Sequence, residues 1–306
     1  MTENGANRHG AYGYRLRYPE TVDRIHLADL VELDESLPEI RVTWRYATTI
    51  MDVEEIGRTR VVYGVRGATT FDVRLEPRVI HMDLPAPVPP GALVHPLLTV
   101  GMSIHARWRG DVTLHAGAFE SNQGGWGVIG IREAGKSSFL ASVGEHGRPV
   151  IADDLLTIQD STVWAGPSCV DLRPDTAERF PHANYLGIVG NRPRYRLSTA
   201  PGAARVRLRG FFFLEWNDRP EIALELLPAR ERLHLLYRQE YIRLVGHSAP
   251  SQLVPLIGLP TWRLSRPRDW SANEDVIGRV LELTDASTFE DATGKLDETA
   301  PARDAR

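Results

Sequence analysis

Residues 130–138 read GIREAGKSS and satisfy the pattern G-x-x-x-x-G-K-[ST], with Gly130, Gly135, Lys136 and Ser137 in the four specified positions. The apolar run at 126–129 predicts a strand before this loop, and 138–143 predicts a short helix after it. That order confines the fold: a strand must end where successive backbone N–H groups and a helix N-terminus can converge on phosphate. Glycine allows close approach, Lys136 supplies a point charge for terminal phosphates, and the Ser137 hydroxyl suits Mg²⁺. A coincidental glycine turn is the competing reading. The chain has 34 Arg but only two Lys, Lys136 and Lys295. With that usage a chance match is expected on the order of once in a thousand chains. An ammonium is kept where a compact charge fits and a planar guanidinium does not.

The 306 residues, 42% of them hydrophobic, can bury one large core or two modest ones. A net charge of -4 without a basic block argues against nucleic acid as partner. The single cysteine, Cys169, excludes an internal disulfide. No apolar run approaches the ~20 residues a membrane helix needs, and residues 1–14 lack an apolar signal segment, so the expectation is a cytoplasmic protein.

Residues 1–13 predict a disordered arm. From 14 to 90 the chain predicts a β-rich subdomain, an antiparallel sheet with strands at 40–44, 60–65, 70–75 and 78–82, closed by the stiff PAPVPP segment at 85–90. Residues 91–284 predict the catalytic domain, an α/β fold of α+β character, and 285–306 a disordered acidic tail. Within the catalytic domain a helix is expected from near Pro96 to before Gly110, and a strand at 111–119 carrying His115. A tight turn at 120–125 then leads into the loop strand. Further strands are expected at 148–152, 155–159, 162–165, 169–173, 204–216 and 221–226. Helices are expected at 228–244 (Leu233, Leu235, Leu236, Tyr241 and Ile242 apolar), at 250–259 despite Pro255, and at 273–283.

Strand 148–152 finishes on Asp153 and Asp154. An Asp pair often only caps a turn. At the end of a strand next to the loop strand, it would instead stand near a γ-phosphate, one acid on the metal side and the other accepting a hydroxyl proton. Mutual repulsion would raise one pKa, which suits a base.

Four stretches together resemble the HPr kinase/phosphorylase catalytic domain and its smaller relatives, including kinases of serine in lasso-peptide precursors. They are VHPLLTVGMSIHARWRGDVTLHAGAF, GIREAGKSS, PVIADDLLTI and GPSCVDLRPD, covering residues 94–175, with looser similarity at 192–197. The resemblance implies a P-loop kinase core that moves the γ-phosphoryl of ATP, with Mg²⁺, to the hydroxyl of a peptide or small molecule. A homo-oligomer is left open. It implies Asp153, Asp154, His115 and Lys136 as the catalytic set, and Gly130, Ala134, Gly135, Lys136, Ser137 and Ser138 as nucleotide-binding. Ser137, Asp153 and Asp171 would lie on the metal side, and Arg194 or Arg196 would stabilise transition-state charge. His115 reads equally as a phosphate contact or as a core histidine bonded to backbone. Ile131, Arg132 and Glu133 stand where relatives have Gly or Ser. A carboxylate at Glu133 beside phosphates costs energy unless Arg132 or Mg²⁺ offsets it. A nucleotide-binding regulatory module without transfer is therefore the second expectation.

Overall fold

The computed structural model describes residues 8–20, 22, 27–48, 50, 53–65, 69–190, 192–241 and 245–286. The first eight strands form one sheet: β1 (His9–Ala11), β2 (Tyr14–Arg17), β3 (Val31–Glu32), β4 (Glu39–Tyr46), β5 (Glu54–Ile56), β6 (Arg60–Val65), β7 (Thr69–Arg74) and β8 (Val79–Leu84), in the order β3-β1-β2-β4-β8-β7-β6-β5. The sheet is mixed: β4 lies between β2 and β8 and runs parallel to both, which corrects the antiparallel expectation. The expected arm is ordered from Arg8, because His9–Ala11 is already a sheet strand.

After a 3₁₀ turn (Pro90–Leu93) comes α1 (Leu98–Arg109), closed by Gly110 at φ 96°. An added Cβ on Gly101 would stand 2.7 Å from Ile80 of β8, so glycine there lets α1 press onto the N-terminal sheet. Tyr14 and Tyr18 donate to the carbonyls of His105 and Leu93 across the same contact. One apolar cluster runs from Leu16, Ile40 and Ile80 to Met102, Leu156 and Phe211. The PAPVPP joint thus connects two segments of the chain that share a core.

The remaining elements are β9 (Val112–Leu114), β10 (Gly117–Ser121), β11 (Gly124–Ile129), α2 (Lys136–Glu145), β12 (Val150–Ala152), β13 (Leu156–Gln159), β14 (Thr162–Trp164), β15 (Cys169–Leu172), α3 (Pro174–Ala177), β16 (Asn184–Val189), β17 (Arg192–Ser198), β18 (Arg205–Asn217), β19 (Ala223–Leu226), α4 (Ala229–Arg238), α5 (Pro250–Ile257), β20 (Thr261–Pro267) and α6 (Asn273–Asp285). Tyr241 lies beyond the helix expected to hold it. Ile242 and residues 287–306 of the expected tail fall outside the described residues.

The large sheet explains the GFFFLEW run. β18 is one long strand flanked by parallel β11 and β20, and it is covered on both faces: Phe211 joins the core shared with the N-terminal sheet. Phe212 joins a second core under α2 and α6 with Phe139, Val276 and Ile277. The expected strand at 111–119 breaks at His115 and Ala116. The same register pairs Ala118 with Ala152 and Leu114 with Leu156. Segments 112–121 and 150–159 are therefore one antiparallel ribbon, opened in its middle. Pairings through β11, β18 and β14 close this ribbon into a ring. A separate three-stranded sheet, β15-β17-β16, stands beside it.

Candidate active site

The loop leaves β11 at Gly130, where an added Cβ would meet Ala134 Cβ at 3.0 Å and Leu214 O at 3.1 Å. Glu133 (φ 68°) and Gly135 (φ 79°) take the left-handed conformation that turns the chain into α2. No side chain caps α2, so its first-turn N–H groups remain available to an anion. Three consecutive loop carbonyls are held from outside. Trp216 Nε1 donates to Glu133 O at 2.9 Å, and Arg266 Nη2 donates to Ala134 O at 2.9 Å and Gly135 O at 3.5 Å. Arg266 stacks on Trp216 at 3.9 Å. It is 6% exposed and, among the described residues, pairs with no carboxylate; burial pulls its pKa down to about 10. The sequence reading missed both residues. Their signal is that β18 and β20 run parallel to the loop strand and end beside it, which only strand pairing reveals.

Lys136 Nζ donates to Gly130 O at 3.0 Å and Ile131 O at 3.5 Å, folded over the loop. Burial lowers its pKa, and the charges of Asp154 and Asp153 oppose that shift. The side-chain amide of Gln239, just past α4, faces two acceptors, Gly130 O (3.1 Å) and His115 O (3.2 Å), which assigns its nitrogen to that side, while the Gln239 backbone carbonyl accepts from His115 N at 2.6 Å. The first loop glycine is thus tied to the middle of the opened ribbon.

That opening holds the acids. The expectation that the acids' strand lies next to the loop strand is corrected: β10 lies between β12 and β11. Two antiparallel steps restore the direction, so Asp153 and Asp154 emerge at the same end as the loop. Asp153 is 3% exposed: Oδ1 accepts from Ser137 Oγ at 3.1 Å, and Oδ2 has no partner. Burial, together with the charges of Asp154 and Asp171, pushes its pKa well above the ordinary value. Asp154 (φ 64°) turns its carboxylate into the cavity instead. Its backbone carbonyl faces His115 Nδ1 at 3.1 Å, so that nitrogen carries the hydrogen and Nε2 is left as acceptor. Burial and the neighbouring Lys136 lower the His115 pKa, which favours the neutral ring. His115 bonds backbone, as a core histidine would, and it also lines the cavity.

The cavity measures about 560 Å³ and brings together Lys136, Ser137, Ser138, Gly135, Asp154 and His115. Gly130 and Ala134 do not line it; Ala134 is buried in the core beneath, so these two shape the loop. Asp171 lines the cavity, but each of its oxygens also accepts from Arg196, at 2.9 and 3.2 Å, an ion pair the sequence reading did not include. Arg196 is corrected: it also donates to Gly91 O and His95 O and pairs with Asp29, a buried structural clamp. Arg194 does line the cavity. Glu133 pairs with Arg173 at 3.3 Å on the cavity rim, so a guanidinium other than the expected Arg132 is the nearer counter-charge; Arg132 stands 3.9 Å away.

Among the described residues no cluster of three His, Cys, Asp or Glu side chains is arranged to hold a metal. A hydroxyl against a buried carboxylate with one orphaned oxygen is the donor set that fits Mg²⁺ when phosphate oxygens complete it. Nor, among the described residues, is any helix long and apolar enough to cross a membrane.

Fold and site together define a mixed α/β chain whose glycine-lysine-serine loop opens into a charged cavity. No family model and no curated protein matches the chain. Among solved structures it is similar to the HPr(Ser) kinase/phosphatase from Coxiella burnetii, at 11% identity over 60% of this chain and 98% of that one, with a TM-score of 0.27. A likeness of that size decides neither fold nor activity.

Proposed function

We propose that this chain is an ATP-dependent kinase of the HPr-kinase-like kind, transferring the γ-phosphoryl group to a hydroxyl on a peptide or a small molecule. The observation that carries this reading is the division of labour between adjacent acids: Asp153 is buried on Ser137, while Asp154 is open to the cavity that Lys136 lines. The amides of the P-loop and the α2 N-terminus bind the phosphates, and Lys136 leaves its carbonyls to reach the terminal ones. Ser137 and Asp153 would hold Mg²⁺, which supplies charge neutralisation between phosphate oxygens. Asp154 takes the proton of the acceptor hydroxyl, and His115 fixes the backbone on which Asp154 turns.

The alternative, a nucleotide-binding module without transfer, drew on Glu133. Its pairing with Arg173 favours the transfer reading. Asp154→Asn is expected to lower turnover by about 10²-fold or more while changing ATP affinity less than about threefold. Calorimetry with Mg·ATP and phosphate release in the presence of candidate hydroxyl acceptors check this. Unchanged turnover in both Asp154→Asn and Asp153→Asn would refute the kinase.

A further inference from the structure

We propose that Arg192 and Arg194 form an anion site on the cavity wall that β17 supplies, so that the hydroxyl acceptor carries a carboxylate or phosphate of its own. This inference rests on the phosphotransfer reading above.

Arg192, Arg194 and Arg196 occupy alternate positions of β17, whose partner β16 carries the extra residue of a bulge beside Arg194, so they lie toward one face of the strand. Arg196, innermost, is spent on Asp171, Asp29 and two backbone carbonyls. The other two line the cavity and, among the described residues, their side chains have neither an ion pair nor a hydrogen bond. Arg194 Nε is shielded from water with no partner. An N–H shielded that way is costly until an acceptor completes it.

The remaining cations of the cavity are already engaged. Lys136 lies on loop carbonyls, and Arg132 and Arg173 face Glu133. The acids Asp154 and Asp175 also line the cavity, yet neither pairs with Arg192 or Arg194.

The site lies on the acceptor side rather than the nucleotide side because of His95. Its Nε2 stands 4.0 Å from Asp154 Oδ2, and its carbonyl accepts from Arg196, two positions from Arg194. β17 therefore approaches the cavity from the base, whereas the loop amides and Ser137 approach from the phosphates. In the transfer, the hydroxyl proton passes to Asp154, the new O–P bond forms, and the bond from γ-phosphorus to the ADP oxygen breaks. The acceptor's anion stays on the arginines unchanged. Bidentate guanidinium pairing suits a carboxylate or a phosphate equally.

Inorganic phosphate titrated into protein saturated with Mg·AMP-PNP tests the site with the loop occupied. The expected result is a phosphate isotherm weakened at least tenfold in Arg192→Gln and in Arg194→Gln, partly restored by Arg194→Lys, with AMP-PNP affinity within threefold of the parent. Absence of phosphate binding to the loaded protein, or a tenfold loss of AMP-PNP affinity in Arg194→Gln, overturns the proposal, since the guanidinium would then serve the nucleotide. If AMP-PNP itself does not bind, the kinase reading fails separately. Phosphate titrated into the nucleotide-free protein then decides the arginine site: sensitivity to Arg192→Gln and Arg194→Gln supports it, and insensitivity sinks it.

Discussion

The N-terminal sheet and the loop end of the large sheet treat charge in opposite ways. On the first, Asp72 is shared by Arg60 and Arg74, and Asp83 pairs with Arg45, all on a solvated face over a core of Ile40, Val42, Val73 and Ile80. Among the described residues, strands β1–β8 hold no buried side-chain polar atom without a partner, and in the turns between them only the Tyr12 hydroxyl is buried and unpartnered, on a residue at φ 55°. At the loop end, Asp153 Oδ2, Arg194 Nε and Arg266 Nε are buried and unpartnered, and two non-glycine residues, Glu133 and Asp154, take positive φ. The first region pairs its charges on a solvated face; the second gathers unpartnered charged groups and positive-φ residues around one cavity.

The largest effect that would sharpen this contrast is Ile80→Ala. Removing a fully buried side chain packed on Gly101 should cost about 2–5 kcal/mol by denaturant unfolding. The nucleotide affinity of the folded protein should stay within about twofold. Arg266→Met should do the reverse. Deleting a buried guanidinium without a counter-ion leaves the melting temperature unchanged or raised, while calorimetric ATP affinity falls about tenfold. Trp216→Phe, which removes the donor to Glu133 O, should weaken ATP by about 1 kcal/mol. If both variants melt early and bind normally, the two regions do not differ as described.

A pH series gives the smallest and most specific effect. Burial raises the Asp153 carboxyl, so the folded state holds a proton that the unfolded chain gives up at lower pH. Stability from this group is present below the unfolded value and is lost as pH rises toward the folded one. Asp153→Asn removes that dependence. Its melting temperature relative to the parent should therefore climb between pH 4 and pH 8, and a flat difference would mean that Asp153 is charged throughout.

Local pattern made the loop legible. Spacing, the lone lysine and the flanking apolar runs placed Gly130, Gly135, Lys136 and Ser137 between a strand and a helix, and that is their place. Asp153 and Asp154 were legible as a strand end, since VIA is a short buried strand before them. The partner of Asp171 was illegible, because nothing local to VDLRPD shows that Arg196 will arrive opposite it on β17. The break at His115 was invisible too: residues 112–121 alternate well enough for one strand, and only the partner ribbon opens there.

By itself, then, the sequence determined the glycine-lysine loop between a strand and a helix, the acids that follow a later strand and the β-rich start, because each depends on residues within a dozen positions of one another. Only the tertiary structure decided which acid is buried and which is open, which arginine is spent, and that Trp216 and Arg266 brace the loop from behind. Those outcomes depend on the register between distant strands, where a shift of one residue turns every side chain to the other face.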